Sequence, residues 1–235
     1  MITDIWRVPS EIMLDTGSFE HPDSRIHAYH PSRSLRICWS GVHEGRKLLP
    51  ILLHALAAIP NHPIHLTILG DGPETPRWKS LAHSLNLSDR IRFLGRLPRD
   101  QALRQMAQSD LFVFTSLQEA ASTVVLEALS LGLPVVCHHC CGMGLAVTPD
   151  CGIKIPVRCP SHSIDGFGTA LVQFLTTPTL LSRLSAGALC RSQDLTWDHK
   201  ARQIACTYDR ILAKQPQLRP HASPISPPTL QSCNT

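Results

Sequence analysis

Apolar residues follow two alternating patterns along most of the chain. Runs of strand length, rich in β-branched residues, are each followed by a segment with helical periodicity. In the first helical segment, Leu48, Leu52, Ala55 and Leu56 have the spacing of one helix face. The predicted strands are Arg36–Trp39, Ile64–Leu69, Ile91–Leu94, Leu111–Phe114, Pro134–Cys137 and Ile153–Val157. The predicted helices are Lys47–Ala58, Glu74–Leu85, Asp100–Ala107, Ser122–Leu131, Ile164–Thr176, Thr179–Ser192 and Thr196–Leu212.

Strands that alternate with helices pair in parallel, and their crossover connections are right-handed. The pattern therefore predicts an α/β fold with a doubly wound, Rossmann-like parallel sheet and helices on both faces. In such sheets, ligands bind beyond the carboxyl ends of the strands. Residues that carry chemistry are accordingly expected in the β-to-α loops.

The two ends of the chain differ from this alternating region. Residues 1–35 can form at most one or two short strands, such as Glu11–Leu14 before Asp15-Thr16-Gly17, and they cannot build a core of their own. Residues 36–213 form the predicted Rossmann-like domain. Residues 214–235 are rich in Pro, Ser and Thr, a composition that predicts a disordered tail.

Composition narrows the class of protein. The chain has 235 residues, of which 43% are hydrophobic and 17% charged, as in ordinary globular proteins. It contains no apolar run of membrane-spanning length, and Asp4, Arg7 and Glu11 stand where a secretory signal would be apolar. We expect a cytoplasmic protein, with peripheral membrane association left open. The net charge of +4 comes without a basic block, so a nucleic-acid partner is not indicated, although a local anionic ligand is compatible with it.

Nine cysteines, an odd number scattered through the chain, favour reduced thiols over a disulfide framework. Cys137 and Cys140 have C-x2-C spacing around His138 and His139, with Cys141 directly after them. Because zinc would need a second ligand pair at comparable spacing, we expect no metal and interpret these cysteines as buried or loop thiols near a strand end. The two histidines are interpreted as plain loop residues, with a phosphate contact as the alternative.

Two glutamates, Glu119 and Glu127, flank the start of one predicted helix. Ser122 or Thr123 is a natural N-cap, which places Glu127 in the second turn. The unpaired N–H groups of a helix start can hold a phosphate, and nearby carboxylates can bind sugar hydroxyls. Alternatively, the helix dipole alone favours acids at this end without any ligand. Spacing leaves both interpretations open.

Further motifs occur in a fixed order along the chain: Ile37-Cys-Trp-Ser-Gly41 with Lys47, Leu69-Gly-Asp-Gly-Pro-Glu74, Asp89-Arg-Ile-Arg-Phe-Leu-Gly95, Ser109-Asp-Leu-Phe-Val-Phe114, the glutamate pair, Gly132-Leu-Pro-Val-Val136, and Trp197 before Tyr208. Together they resemble the C-terminal, donor-binding half of the large retaining GT-B glycosyltransferases of the group 1, or family 4, type. These enzymes use sugar nucleotides. The resemblance covers most of the chain.

The resemblance implies a role for each matching residue. Glu119 would contact the transferred sugar and, with Lys47, form the catalytic pair, while Glu127 would bind the nucleotide ribose. Lys47 would meet the diphosphate, where positive charge stabilises the departing group. Without the resemblance, Lys47 would be interpreted as a solvated charge in the first turn of a helix. The nucleotide-sugar is a substrate, and no further cofactor is implied.

Other positions would support donor binding. Glycines would let the backbone approach the nucleotide, the segment after the third strand would read the base through main-chain groups, and a loop after Cys137 would bring amides toward the phosphates or the sugar. Plain turns and flexible spacing are the alternatives. The positions are Gly41, Gly70, Gly72, Arg96, Leu97, Ser122, Thr123, Gly142, Met143 and Gly144.

Two positions depart from the family pattern. Many members carry an Arg five residues before the Lys, where this chain has Val42; His43, Arg46 or another Arg can substitute for it. The usual Glu-Gly-Phe-Gly is here Glu119-Ala-Ala-Ser122, which would reshape the sugar pocket. An apolar side chain cannot replace a bidentate guanidinium, so diphosphate binding is expected to weaken unless another residue compensates.

The resemblance implies transfer of a sugar with retention, from a nucleoside diphosphate-sugar to an unknown glycan, lipid or small-molecule acceptor. A GT-B enzyme has two doubly wound domains and this chain has one, so it is expected to be incomplete alone and to need a separate N-terminal half. The alternative is a non-catalytic nucleotide-sugar-binding module. A sugar-nucleotide epimerase or a phosphorylase is a weaker alternative, and a dehydrogenase weaker still because no G-x-G-x-x-G opens the first β-α unit.

Overall fold

The computed structural model of the protein describes residues 12–19 and 21–214. Glu11, which the sequence places at the start of a short strand, lies outside the described residues. The predicted disordered tail also lies outside them, except for its first residue. Among the described residues, no helix is both long and apolar enough to cross a bilayer.

Six parallel strands form one sheet in the order β3-β2-β1-β4-β5-β6. This is the strand order of doubly wound dinucleotide-binding domains, and it confirms the predicted fold class. Each predicted strand is present, with ends shifted by at most two residues. The strands are β1 (Leu35–Ser40), β2 (Ile64–Leu69), β3 (Ile91–Gly95), β4 (Leu111–Phe114), β5 (Val135–His138) and β6 (Gly152–Ile155).

Helices cover both faces of the sheet, and each predicted helix is present. The helix predicted from Ile164 begins four residues earlier, because Pro160 suits the first turn of a helix. The short α5 was not predicted. The helices are α1 (Leu49–Ala58), α2 (Thr75–Ser84), α3 (Arg99–Ala107), α4 (Thr123–Ser130), α5 (Met143–Ala146), α6 (Pro160–Thr176), α7 (Pro178–Asp194) and α8 (Trp197–Lys214).

The start of the first helix corrects the sequence prediction. Lys47 was expected in its first turn, but it ends a separate 3-10 turn, Gly45–Lys47. Leu48 follows with a left-handed φ of 49°, and only then does α1 begin. This break turns the backbone of Lys47 away from the axis of α1, so its side chain is not constrained to the helix surface.

Two apolar clusters sandwich the sheet, as the period of two along each strand requires. On β1, Ile37 and Trp39 face one cluster, whereas Cys38 faces the other. The first cluster includes side chains of α1, α2 and α6, and the second includes those of α3 and α4. The central strands are therefore packed on both faces, and the loops at their carboxyl ends rest on a rigid support.

The segment before β1 packs against this domain. The His27 backbone N–H donates to Ser185 Oγ at 2.7 Å, and its ring contacts the Leu131 carbonyl at 3.0 Å. The strand predicted before Asp15 is wrong for residues 12–14, which have no regular secondary structure, and Ile12 is 81% exposed. Instead, Ser18 forms an isolated parallel bridge with Thr196, just before α8.

Candidate functional site

The centre of the sheet holds the point where the strand order reverses. From β1 the chain proceeds to β2 on one side, whereas β4 lies on the other side and leads to β5. In doubly wound sheets, a crevice opens between the loops that leave these two central strands. The loop after β1 contains the 3-10 turn Gly45–Lys47, and the loop after β4 contains Glu119.

The Glu119 carboxylate joins these two loops. Its Oε1 atom accepts hydrogen bonds from Lys47 Nζ, from Arg46 Nη1 at 2.7 Å and from Ser116 Oγ at 3.0 Å. Burial alone would raise the pKa of Glu119, but the hydrogen bond and charge of Lys47, with Ser116 and Arg46, outweigh it and lower the pKa. The carboxylate is therefore ionised at neutral pH and is held in one position by two cations.

Lys47 is buried, so its interpretation as a solvated charge is wrong. Its side chain is 9% exposed, and Nζ lies 5.2 Å from the centroid of the Phe114 ring. A chain of hydrogen bonds fixes its backbone: Trp39 Nε1 donates to Thr115 Oγ1 at 3.0 Å, and that hydroxyl donates to the Lys47 carbonyl at 2.6 Å. The Lys47 ammonium is thus held in the crevice in an ion pair with Glu119.

Arg46 stands beside Lys47 on the same carboxylate oxygen. Its guanidinium also donates to the Gln118 carbonyl at 3.1 Å and to Glu44 at 2.9 Å, and its side chain is 38% exposed. Val42, where many relatives of the resembled type carry an Arg, is half exposed. The chain thus places a second cation in the crevice from a position four residues further along.

His43, the other substitute considered from the sequence, lies outside this cluster. It is 1% exposed, with its ring centroid 4.8 Å from that of Trp78 and its Nδ1 2.7 Å from Thr75 Oγ1. Burial lowers the pKa of His43, which favours the neutral imidazole. His43 therefore fastens the loop after β1 to α2 and supplies no charge to the crevice.

Glu127 lies in the second turn of α4, as the spacing predicts, and has a different partner. Its Oε1 accepts from Arg99 Nε at 2.9 Å and lies 2.8 Å from Arg99 Nη2. Ser122 is the N-cap residue in extended conformation, but its side chain makes no capping hydrogen bond. Thr123, the first helical residue, is exposed. The two glutamates flank one helix start and pair with different cations.

The glycines after β1 and β2 bring two loops of this chain together. A Cβ on Gly70, whose φ is 110°, would lie 1.9 Å from the Gly41 carbonyl oxygen. A Cβ on Gly72 would lie 2.7 Å from the His43 carbonyl oxygen. Contact between the loops is therefore enough to require both glycines, whether or not a nucleotide approaches them.

Segments after β3 and β5 complete this edge of the sheet. Arg96 is exposed, while Leu97 packs partly buried against the second apolar cluster. Gly142 and the two residues after it do not form the expected loop, because they open α5, and the Met143 side chain is 1% exposed in the core. Gly144 lies in the same helix, with its N–H within 3.2 Å of the Cys140 carbonyl.

Histidine 138 also differs from the sequence interpretation. It ends β5, is 1% exposed, and bonds the Thr115 carbonyl at 2.9 Å and Ser163 Oγ at 3.0 Å. It is a buried structural residue and not a loop histidine, whereas His139 is exposed. Within the described ranges, no group of three or more His, Cys, Asp or Glu side chains could hold a metal ion.

A cavity of about 710 Å³ lies apart from these charges. Met13, Leu14, Leu145 and Lys200 are among its walls, so it borders the first described residues and α8. The cavity does not contain the Glu119 cluster. We assign the candidate site to the crevice between β1 and β4, because buried ions of both signs converge there at the place where such folds bind ligands.

A sequence model of the family described as glycosyl transferases group 1 matches residues 25–186, which is more than half of the 235 residues. The chain belongs to this family. The matched region includes all six strands and every residue of the candidate site. The family assignment and the fold identify the domain as the C-terminal half of a GT-B glycosyltransferase.

Curated relatives of this group 1 member are glycosyltransferases. D-inositol 3-phosphate glycosyltransferase of Frankia alni is 30% identical over 175 residues, covering 69% of this chain and 42% of the relative. The lipopolysaccharide core biosynthesis glycosyltransferase LpsE of Rhizobium meliloti is 28% identical, covering 73% of this chain and 47% of the relative. The chain therefore spans less than half the length of these relatives.

Solved structures share the fold of the group 1 domain. Sucrose-phosphate synthase from Thermosynechococcus elongatus aligns with a TM-score of 0.70 and 22% identity, covering 91% of this chain and 56% of that one. HepE of Anabaena, determined in complex with UDP and glucose, aligns with a TM-score of 0.64 and 23% identity, covering 76% and 49%. A protein determined with bound UDP and glucose is thus among the structural neighbours.

Sequence reasoning missed two partners in this glycosyltransferase domain, Arg99 and Ser116. Arg99 is the first residue of α3 and reaches Glu127, while Ser116 follows β4 and reaches Glu119. Both residues lie in a β-to-α loop or at the start of the helix that follows it. This location was the sequence signal that could have identified them as site residues. Their types are too common at such places to single them out.

Proposed function

We propose that this chain provides the donor-binding half of a retaining glycosyltransferase that uses a nucleoside diphosphate-sugar. One observation carries the proposal: Lys47 and Arg46 converge on Glu119 where the strand order reverses. The cations would hold the diphosphate, and Glu119 would accept hydrogen bonds from the sugar hydroxyls. The UDP and glucose in the complex of the neighbour HepE support a uridine diphosphate-sugar as the first donor to test.

The charges suit the departure of a diphosphate. As the glycosidic bond breaks, negative charge accumulates on the leaving oxygen, so cations placed there stabilise the transition state more than the ground state. Lys47 is buried and its backbone is fixed, so little reorganisation accompanies this step. In a transfer with retention, the acceptor would attack on the face from which the diphosphate leaves, and a diphosphate oxygen would take the acceptor's proton.

Glu127 would bind the ribose of the donor. Its carboxylate bonds Arg99 through one oxygen, Oε1, in the structure. A ribose diol can therefore approach the second oxygen without displacing the guanidinium. The Glu127 side chain is 16% exposed, which is enough contact with solvent for a ligand edge to reach it.

The acceptor site belongs, in this proposal, to a second domain. The two curated relatives described above extend over more than twice the part that this chain matches. A competing function, donor binding without turnover, is favoured by Val42, because the diphosphate contact that many relatives make from that position is absent here. One measurement distinguishes glycosyl transfer from donor binding without turnover: the hydrolysis or transfer of UDP-glucose with and without an added N-terminal half.

Donor binding tests the site. We expect UDP to bind the chain in a calorimetric titration, and Lys47→Met to weaken that binding by about tenfold, the effect of losing one charged hydrogen bond. Arg183→Met removes a positive charge from an exposed position on α7 and should leave the affinity unchanged. Equal affinity of Lys47→Met and the native chain would remove the site assignment. Equal losses in both variants would indicate only an effect of net charge.

A further inference from the structure

Cys140 and Cys141 form a pair of adjacent thiols directly after β5. Cys141 is exposed and Cys140 is half-buried, and the thiols of both contact backbone carbonyls of the loop after β4. Cys141 has a φ of 52°, a left-handed conformation that a residue with a Cβ rarely adopts. Such backbone strain in a non-glycine residue is concentrated at functional sites, so it points to a use for this turn.

The pair lies against the loop that carries Glu119. Cys141 Sγ donates to the Leu117 carbonyl at 3.1 Å, and Cys140 Sγ contacts the Ser116 carbonyl at 3.9 Å. The next residue, Gly142, directs its N–H to the Glu119 carbonyl at 3.4 Å. Three consecutive residues after β5 thus hold the backbone of the loop after β4, so a change in the thiols reaches that loop directly.

We propose that Cys140 and Cys141 are a thiol modification site, which a peroxide oxidises reversibly to a disulfide between the two adjacent residues. The Cys141 sulfur, as thiolate, attacks the peroxide O–O bond, becomes a sulfenic acid, and releases an alcohol or water. The Cys140 sulfur then attacks the Cys141 sulfur. Its proton and the sulfenic hydroxyl leave as water, the S–S bond forms from an electron pair of the Cys140 sulfur, and the two electrons that the thiols lose reduce the peroxide oxygens.

Geometry makes such a bond easy to reduce again. Adjacent Cα atoms are about 3.8 Å apart across a trans peptide, which is shorter than the roughly 4.4 Å minimum of ordinary disulfides. A disulfide formed here is therefore strained, and strained, exposed disulfides belong to the labile and regulatory class. Thiol reductants would restore the two S–H groups and their contacts with the carbonyls of Ser116 and Leu117.

Other cysteines provide the contrast. Cys137 and Cys151 are buried, so a peroxide reaches neither easily. Cys159 is exposed, and hydrogen bonds from Ser161 and the start of α6 lower its pKa. Its side chain contacts Ser161 and, in the part of the chain that the structure describes, no second thiol, so it can form a sulfenic acid but not a disulfide with a described neighbour.

Oxidation would also act on the candidate site. The disulfide removes both S–H donors from the carbonyls of Ser116 and Leu117, so the Ser116–Glu119 segment loses contacts that position the carboxylate. This consequence rests on the proposed function, because it appears as weaker UDP binding. The thiol chemistry itself does not depend on that function.

Peptide mapping by mass spectrometry tests the chemistry. After brief exposure of the native chain to hydrogen peroxide, we expect the peptide with both cysteines to lose the mass of two hydrogen atoms and to regain it with dithiothreitol. In Cys140→Ser, Cys141 should remain a sulfenic acid that dimedone traps. Cys159→Ser is the matched exposed control and should still form the disulfide. Direct conversion of native Cys141 to sulfinic acid would overturn the proposal.

A third variant identifies the bonded partner. Cys137 lies at C-x2-C spacing from Cys140, and a bond between those two would give the same mass. Cys137→Ala should therefore keep the two-hydrogen loss, whereas Cys141→Ser should abolish it. The reverse result would assign the bond to Cys137 and contradict the adjacent pair.

Calorimetry with UDP separates this inference from the proposed function. We expect the oxidised chain to bind UDP several-fold more weakly than the reduced chain, with recovery after reduction and no response in Cys140→Ser. Disulfide formation without a change in UDP affinity would overturn the link to the site. If the reduced chain fails to bind UDP, the proposed function fails, while the mass measurement still decides the thiol chemistry.

Discussion

At the scale of single residues, two cations share Glu119 Oε1, and one of them comes from an unexpected position. Arg46 occupies the crevice where Val42 is apolar and half exposed. A planar guanidinium can hold two phosphate oxygens in a fixed fork geometry, which the point charge of an ammonium does not provide. We therefore propose Arg46 as the residue that compensates for the missing Arg at position 42.

This compensation can be tested by exchanging the two positions. We expect Arg46→Ala to weaken UDP binding by about tenfold, through loss of a charged hydrogen bond. Adding Val42→Arg to that variant should restore most of the affinity, because position 42 lies in the same loop. Isothermal titration calorimetry measures both effects, with Arg183→Ala as the control. No loss in Arg46→Ala would assign the diphosphate contact to other residues.

Leu48 carries backbone strain beside the site. Its φ of 49° is left-handed, which costs a residue with a Cβ about 1 kcal/mol. A protein with glycine at a helical or extended position is usually less stable than one with alanine by a similar amount. At this left-handed position the order should reverse. We expect Leu48→Gly to exceed Leu48→Ala by about 1 kcal/mol in the free energy of unfolding, measured with urea. A more stable Leu48→Ala would show that the turn is unstrained.

At the scale of elements, the contact between the loops after β4 and β5 depends on one glycine. Gly142 has an ordinary φ of −60°, yet a Cβ there would lie 2.0 Å from the Ala120 carbonyl oxygen. A Cβ on the neighbouring Gly144 would lie 3.4 Å from the His139 ring, an ordinary contact distance. Close packing, and not backbone conformation, therefore requires glycine at position 142.

These two glycines form a matched pair for mutation. Gly142→Ala must displace the Glu119–Ala121 segment, and we expect a loss of about 1–3 kcal/mol in stability, with weaker UDP binding. Gly144→Ala adds the same methyl group within the same helical turn and should change either quantity only slightly. Chemical denaturation and calorimetry provide the two readouts. A tolerated Gly142→Ala would show that the two loops can separate without consequence.

The elements differ in how far local sequence determines them. The strands Ile64–Leu69 and Leu111–Phe114 were predicted with their observed ends, because a short apolar run in an alternating β-α chain usually forms a buried strand. The helix α5 was missed since Gly142 and Gly144 are poor helix formers. Burial of Met143 and Ala146 in the core compensates for that low propensity.

At the scale of the whole molecule, Asp110 joins three parts of the chain. It is 1% exposed, and it accepts hydrogen bonds from Arg33 at 2.6 Å and from the Arg36 side chain at 2.9 Å. These bonds connect the lead-in segment, β1 and the residue before β4. Burial would raise the pKa of Asp110, but the hydrogen bonds from Arg33 and Arg36 outweigh it and lower the pKa.

The direction of the Asp110 pKa shift determines how its contribution to stability depends on pH. A carboxyl whose pKa is lower in the folded state contributes stability above its unfolded pKa, near 4, and loses it as the pH falls through the folded value. We expect Asp110→Asn to cost about 2–3 kcal/mol at neutral pH and progressively less below about pH 4. Urea denaturation over this pH range measures the difference. A difference that grows on acidification would contradict the ion-pair assignment.

The alternation of apolar runs along the sequence determined the parallel sheet, its flanking helices and the edge where ligands bind. These features follow from local periodicity and from the handedness of crossovers, which act between neighbouring elements. The spacing of Glu119 and Glu127 likewise placed both acids around one helix start.

Only the tertiary structure decided what those residues meet. Lys47 and Arg46 reach Glu119 across more than seventy residues of sequence, and Arg99 reaches Glu127 across 28. The thiols of Cys140 and Cys141 lie against the loop that carries Glu119 because β4 and β5 are neighbours in the sheet. Strand order brings such residues together, and local sequence patterns carry no record of which loops become neighbours.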